Sequence, residues 1–424
     1  MQFVASRAAR RKTRTRGSAA TVGCALLGGT ALLAAAALPT MMLPATAASA
    51  SPVQTRQSGT TLRTALRRDL SDYLTARRTA EHISAVSLRV TFPGSKPAIA
   101  LAAGTTRYGG GPPVSTTALW EIGSNTKAFT AVILLQLEAE GRLSINDPLG
   151  KWLPQYPAWS HITIKQLLDM TSRIPDYLQQ PAFAAAFAAD PSARFTAAQL
   201  VSYVAGLPLG PQGWNYTNTD YILAQMIIEK VTRDSYADQL TRRIIMPLGL
   251  RSACLAPYTC PPSDAARMPA GYFYIAGVPP SLRGEAMPPL ALTWAQAAGG
   301  IVSSLADMSA WDRDLYQGRV LPARQQQQLE SLVSQATGQP IGTTTLADPA
   351  GYGLGIFQLT TAQTGTIWYY EGQAFGARVM NLYFPGSGMI IALAVNSSTG
   401  NDDLGDLAVS VYQALQQAGA AGAG

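Results

Sequence analysis

The 424-residue chain is 47% hydrophobic and 13% charged, enough apolar material for one large or two ordinary domains with a real core. Its formal net charge of +7 misleads, because Arg7, Arg10, Arg11, Lys12, Arg14 and Arg16 open a chain whose first fifty residues hold no acid. Removing those six cations leaves +1, so charge gives no argument for nucleic acid or an anionic membrane as partner.

The basic start leads into an apolar run from about Ala19 to Leu43, then into Ala45-Thr46-Ala47 and Ala48-Ser49-Ala50. These are the three parts of a secretory signal peptide, expected over residues 1–50 with cleavage after Ala47 or Ala50. The rest of the chain is then periplasmic or extracellular. An uncleaved anchor is the rival; Pro39, Pro44 and the two small-residue sites favour cleavage. Arg10-Arg11 leaves twin-arginine and general export both open.

Residues 51–60 read as a polar linker. Leu62, Leu66, Leu70 and Leu74 then recur every four residues, which predicts an amphipathic helix from Thr61 to Arg78. Val86, Leu88, Val90 and Phe92 alternate up to Pro93-Gly94: a strand, with a hairpin partner over Pro97–Ala103. An apolar helix follows Ser124 and stops at Gly141. Residues 147–294 are rich in proline and loops, with helical pieces near Thr163, Thr196 and Thr219 and no predicted strand. A helix over Ser304–Leu315 comes next, then strands over Tyr352–Leu359, Gly365–Tyr370, Ala377–Phe384 and Met389–Val395. A helix from Asp402 to Gln417 and a flexible tail over 418–424 end the chain. The expected class is α/β: an antiparallel sheet flanked by helices, built from 61–146 and 295–417. An inserted, mostly helical domain occupies 147–294, and sites commonly lie between two such parts.

Beyond the leader two cysteines remain, Cys254 and Cys260, and an even count in an exported chain reads as a disulfide. With only His82 and His161 and no Cys-x-x-Cys, no metal or other cofactor is expected. Nor is a Ser-His-Asp hydrolase: no Gly-x-Ser-x-Gly elbow is present.

Ser124 stands three residues before Lys127 at the head of the run Ala128–Leu137, and no other of the six lysines has a serine at that spacing. Residues three apart share a helix face. A lysine inside a helix apolar on nearly all sides loses solvation, which lowers its pKa. A serine beside such an amine is an activated nucleophile. The plainer alternative is a helix cap beside a lysine that reaches water. Two further stretches offer polar groups: Tyr216-Thr217-Asn218 entering an apolar helix, and Tyr370-Glu371-Gly372-Gln373 on a predicted strand.

Taken in order, Ser124-Asn125-Thr126-Lys127, Tyr216-Thr217-Asn218 and Tyr370-Glu371-Gly372 resemble the three motifs of penicillin-recognising serine hydrolases. The likeness is to the branch of class C β-lactamases, D-alanyl-D-alanine carboxypeptidases and related esterases. Segments such as Gly141–Pro148, Pro247–Leu250 and Ala298–Ser304 are also similar, so it spans roughly Leu62 to Gln417. The resemblance implies that Ser124 forms an acyl-enzyme, with Lys127 and Tyr216 sharing the proton transfers. Asn218 would hold the substrate amide or orient Lys127. The backbone N–H groups of Ser124 and Gln373 would form the oxyanion hole. The implied substrates are a cell-wall D-Ala-D-Ala peptide, a β-lactam or an ester.

The third motif departs from the family pattern, which begins with Lys or His and has Thr or Ser in the middle. Here these are Tyr370 and Glu371. Unless Glu371 points away or is protonated, a carboxylate ~4 Å from a substrate carboxylate costs on the order of 4 kcal/mol at an effective dielectric of 20. Two enzymes are therefore expected: a carboxypeptidase or β-lactamase relative in which Arg378 or another arginine holds the carboxylate, or an esterase, amidase or aminopeptidase for neutral substrates or for amine-bearing ones drawn to Glu371. A weakly active acyl-binding or scaffold protein is the alternative of another class.

Overall fold

The computed structural model describes residues 53–275, 280–399 and 403–421. The predicted signal peptide over 1–50 lies outside the described residues. In chain order the strands are β1 (Ala85–Thr91), β2 (Ile99–Arg107), β3 (Gly110–Pro113), β4 (Leu119–Glu121), β5 (Cys254–Leu255), β6 (Gly271–Phe273), β7 (Ala286–Met287) and β8 (Ile301–Ser304). Then come β9 (Leu332–Ser334), β10 (Pro340–Ile341), β11 (Ala350–Tyr352), β12 (Phe357–Thr361), β13 (Gly365–Gln373), β14 (Arg378–Phe384), β15 (Met389–Val395) and β16 (Ser397–Ser398). The helices are α1 (Val53–Glu81), α2 (Thr126–Ala139), α3 (Leu149–Trp152), α4 (Ile164–Leu168), α5 (Pro181–Ala189) and α6 (Ala197–Ser202). They continue as α7 (Thr219–Thr232), α8 (Tyr236–Leu240), α9 (Gln296–Gly299), α10 (Leu305–Tyr316), α11 (Ala323–Leu329) and α12 (Asp403–Gln417).

Ten strands form one antiparallel sheet in the order β10-β9-β11-β12-β13-β14-β15-β1-β2-β3. β1 lies beside β15 with Val86 opposite Val395, so the two chain ends close the sheet together, as the expected α/β class requires. The pleat sorts side chains to two faces. Val86, Leu88, Val90, Met380, Leu382, Ile391, Leu393 and Val395 pack under α1 and α12, against Leu62, Leu66, Leu70, Leu404, Leu407, Val411 and Leu415. The other face, with Val379, Tyr370, Ile390, Ala392 and Ala394, belongs to the larger core that contains α2. Burying each leucine is worth roughly 1.5–3 kcal/mol, so the four-residue stripe of α1 holds that helix on the sheet.

Four expectations need correction. Helix α1 starts at Val53, inside the stretch read as a linker. A helix nucleated by its packed turns extends at low cost through polar residues, so their composition does not end it. Residues 418–421 are not a loose tail. They cap α12: Gly419 takes φ +63°, its N–H donates to Gln416 O, and Ala420 N–H donates to Leu415 O at 2.8 Å. Ala421 is buried against the α1/α12 core; residues 422–424 lie outside the described residues. The 147–294 region does contain strands, β5, β6 and β7. At two or three residues each they are too short to show alternation; pairing with β8 and β16 makes them. Arg378, expected to face the substrate, instead lies under α1. It is 1% exposed, its Nε donates to Ser397 O at 3.0 Å, and its Nη2 lies 3.3 Å from Tyr73 Oη and 3.4 Å from Glu81 Oε2.

Cys254 and Cys260 are joined by a disulfide at the edge of the small β4-β8-β5 sheet. Among the described residues no helix is long and apolar enough to cross a membrane.

Arg378 and Glu81 form a buried pair, and removing one partner strands the other charge. Arg378→Ala is expected to cost about 3–5 kcal/mol of folding free energy, read by urea denaturation. A loss near zero would show that the pair does not tie β14 to α1.

Candidate active site

A single turn of 3-10 helix, Gly123–Asn125, carries Ser124 into α2. Strand β13 presses directly on this turn. A Cβ on Gly372 would overlap Ile122 O and Asn125, and a Cβ on Gly123, which sits at φ +51°, would overlap the backbone of Gln373. Only glycine allows that approach. Asn125 fastens the turn from the other side. Its Nδ2 donates to Ile122 O at 2.7 Å and to Val379 O at 2.9 Å, and its Oδ1 accepts from Asn381 Nδ2 at 3.0 Å.

Lys127 is 0% exposed. Its Nζ lies 3.0 Å from Ser124 Oγ, 2.8 Å from Asn218 Oδ1 and 2.8 Å from Ala298 O. Burial pulls its pKa down to about 7, against the opposing pull of Asp176 and Asp220. Asn218 cannot turn over, because its Nδ2 donates to Asp176 Oδ2 at 2.9 Å. Its Oδ1 must therefore accept from Lys127, and so must the carbonyl of Ala298. A neutral Lys127 has two N–H bonds and one lone pair. With both N–H groups spent on these acceptors, the lone pair faces Ser124 Oγ. Asp176 is itself pushed up to about 6, chiefly by burial.

Tyr216 stands over the same amine, its ring centroid 4.8 Å from Lys127 Nζ. Burial raises its pKa, while hydrogen bonds to Ser124 and Tyr370 act the other way. Tyr370 projects from β13 with its hydroxyl 3.2 Å from that of Tyr216.

The strand register aims a backbone donor as well. Ala374 N–H donates to Ala377 O across the β13–β14 turn, so Ala374 and Gly372 are the hydrogen-bonded positions and Gln373 between them points its N–H away from β14. β12 pairs with β13 only as far as Tyr369, so it does not take the N–H of Gln373. The N–H of Ser124, at the start of a helical turn, needs no intrahelical partner.

Ser124, Lys127, Tyr216, Asn218, Tyr370, Gly372 and the backbone of Gln373 thus converge. Glu371 and Arg378 do not. In the β13–β14 ladder Tyr370 lies opposite Asn381, on the Ser124 face, while Glu371 lies opposite Met380 and Gln373 opposite Arg378, on the α1/α12 face. The Gln373 side chain donates to Thr399 O at 2.9 Å. Period-two alternation is the physical reason that Glu371 cannot repel, nor Arg378 attract, a group bound at Ser124. Asp176 was not singled out from the sequence. Following Pro175, it reads as a helix cap, and its Oδ1 does accept from Leu178 N–H. Behind Tyr370 lie Tyr352, which opens the family-like segment Tyr352-Gly353-Leu354-Gly355, and Tyr221, in the helix that follows Asn218; the sequence assigns neither a role. Among the described residues no cluster of three or more His, Cys, Asp or Glu could hold a metal ion.

The sequence profile of the Beta-lactamase family matches residues 70–416. Penicillin-binding protein 4* of Bacillus subtilis (strain 168) is 28% identical over 270 residues, 61% of this chain and 56% of that protein. The putative penicillin-binding protein PbpX of the same strain is 24% identical over 304 residues, 70% of this chain and 66% of that one. This chain therefore spans less than two thirds of either relative. Among solved structures, a D-stereospecific amidohydrolase from Streptomyces sp. superposes with a TM-score of 0.67 at 26% identity, covering 83% of this chain and 97% of its own. The D-amino acid amidase of Ochrobactrum anthropi SV3, solved with D-phenylalanine, superposes at 0.69 and 23% identity over 84% and 99%. At that identity the second likeness shows the fold.

Gly372→Ala would drive β13 off the Ser124 turn. Expected outcomes are a lower melting temperature and loss of Ser124 labelling by a fluorophosphonate probe. Wild-type labelling in a folded variant would contradict the tight packing described.

Proposed function

The chain belongs to the Beta-lactamase family, and on that premise we propose that it is an exported serine hydrolase cleaving amides or esters through an acyl-enzyme on Ser124. The observation that carries this reading is Lys127 Nζ placed 3.0 Å from Ser124 Oγ and 2.8 Å from each of two acceptors, Asn218 Oδ1 and Ala298 O, so that a neutral amine has its lone pair left for Ser124. Neutral Lys127 takes the hydroxyl proton as Ser124 attacks the carbonyl. The N–H groups of Ser124 and Gln373 receive the developing oxyanion. Tyr216 delivers a proton to the leaving group, and water then attacks the ester along the same path in reverse. Asn218 and Asp176 act by holding Lys127.

For the substrate class, the motif side chains around Ser124 offer no cation except Lys127, since Arg378 is held by Ser397, Tyr73 and Glu81 on the other sheet face. This favours an amide or ester without a carboxylate beside the scissile bond. The likeness at 26% identity to a D-stereospecific amidohydrolase supports an amidase in particular. The likeness to two penicillin-binding proteins favours a second reading, a D-alanyl-D-alanine carboxypeptidase or β-lactamase relative. Export rests on the basic, then apolar, N-terminal sequence.

A panel of a D-amino acid amide, a nitrophenyl ester, a D-Ala-D-Ala peptide and a fluorescent penicillin separates these readings. Turnover of the first two, abolished in Ser124→Ala, is the expected result. Stoichiometric penicillin labelling with peptide turnover would favour the second reading. No covalent adduct with any acylating probe would sink both and leave an acyl-binding or scaffold role.

The pH dependence follows from Lys127. It works when neutral, so kcat/KM is expected to rise with pH through a midpoint near 7. A midpoint near 10 would contradict a desolvated base. Asp176→Asn removes a charge that raises the Lys127 pKa, so the midpoint is expected to move lower, with a smaller kcat because Asn218 is no longer locked. An unmoved midpoint would count against this role for Asp176.

A further inference from the structure

Behind Tyr216 the phenols continue into the protein. The hydroxyl of Tyr370 lies 3.2 Å from that of Tyr216 and 3.2 Å from that of Tyr352. Tyr370 and Tyr352 are 5% and 0% exposed, so bulk water does not compete for these contacts. Phe357 sets both rings edge-on, at 4.5 Å from Tyr352 and 4.8 Å from Tyr370. Tyr352 also bonds to the hydroxyl of Tyr221, whose own proton goes to Leu168 O at 2.8 Å, so Tyr352 gives its proton to Tyr221 and accepts from Tyr370.

A phenol carries one proton, so Tyr370 cannot donate to both neighbours. Its one proton is offered to two acceptors, Tyr352 and Tyr216, and is drawn to Tyr216 when that oxygen loses its own proton and becomes the stronger acceptor. A donor on the Tyr216 oxygen stabilises that oxygen whenever it gives up its proton. The contact with Tyr370 does oppose the effect of burial on Tyr216.

We propose that Tyr370 is a positioning residue for leaving-group protonation and thereby a determinant of preference for amides over activated esters. The inference rests on the acyl-enzyme reading. As the bond from the acyl carbon to the leaving nitrogen breaks, the O–H bond of Tyr216 breaks and its proton passes to that nitrogen. Lys127, which took the Ser124 proton, returns it to Tyr216. In sum one proton leaves Ser124 and one reaches the leaving amine, and neither Lys127 nor Tyr216 keeps a net change. While the Tyr216 proton is in transit, the hydroxyl of Tyr370 donates to its oxygen. An alkylamine must be protonated to leave and depends on this step, whereas a nitrophenolate leaves without a proton.

The test compares an amino acid amide with the nitrophenyl ester of the same acyl group in the mature protein and in Tyr370→Phe, Tyr352→Phe, Tyr216→Phe, Tyr216→Phe/Tyr370→Phe and Ser124→Ala. In Tyr370→Phe the amide kcat is expected to fall at least about 10 times more than the ester kcat, toward the range of general acid–base effects. Tyr352→Phe, which touches no substrate and removes the competing acceptor, is expected not to lower the amide kcat relative to the ester kcat. The double variant is expected to lose no more amide turnover than Tyr216→Phe alone, because Tyr370 acts through Tyr216. A purely structural role would depress both substrates alike. Equal amide and ester losses in Tyr370→Phe, a selective amide loss in Tyr352→Phe, or additive losses in the double variant would overturn the inference alone. Turnover surviving in Ser124→Ala would overturn the acyl-enzyme reading and this inference with it.

Discussion

The burial of one amine organises this molecule. An ammonium without water is costly unless it is fully paired, and Lys127 sits at 0% exposure inside α2. Neighbours of Nζ come from three separate parts of the chain: Ser124 before α2, Asn218 before α7 and Ala298 in α9. Each is useful only if the fold brings it within hydrogen-bond reach. The large core around α2 does this, and burial in that core is also what brings the amine toward neutrality at ordinary pH.

The pleat of β13 supplies the second constraint. Tyr370 and Glu371 are neighbours in sequence and lie on opposite sides of the sheet. One meets Tyr216; the other belongs to the layer under α1 and α12. A motif written along a strand therefore presents only every second side chain to the cleft, with backbone groups from the residue between. This is why Gln373 reaches the site through its N–H while its side chain turns to Thr399.

Much of this was legible beforehand, for identifiable reasons. The leucine stripe of α1 and the alternation in β1, β14 and β15 are strong periodic signals, and they sufficed for an antiparallel sheet closed by both chain ends. Ser124 and Lys127 were legible because three residues along a helix means one face. Glu371 and Arg378 were misplaced because the face of a strand residue depends on register, which is fixed by cross-strand pairing. Asp176 went unnoticed because its local role as a cap is an ordinary one; its contact with Asn218 spans 42 residues. Tyr352 and Tyr221 were hidden for the same reason, since hydroxyl contacts between distant tyrosines leave no spacing in the sequence. The short strands β5 to β7 are likewise products of tertiary pairing.

The central claim is that Lys127 is a neutral base at the pH where the protein works. Titration of lysine Nζ and Cε by heteronuclear NMR, assigned with Lys127→Met, tests it most directly. Lys127 is expected to titrate near pH 7. A Lys127 midpoint near 10 would contradict the account, because the amine would then be a charged partner of Ser124 and unable to take its proton.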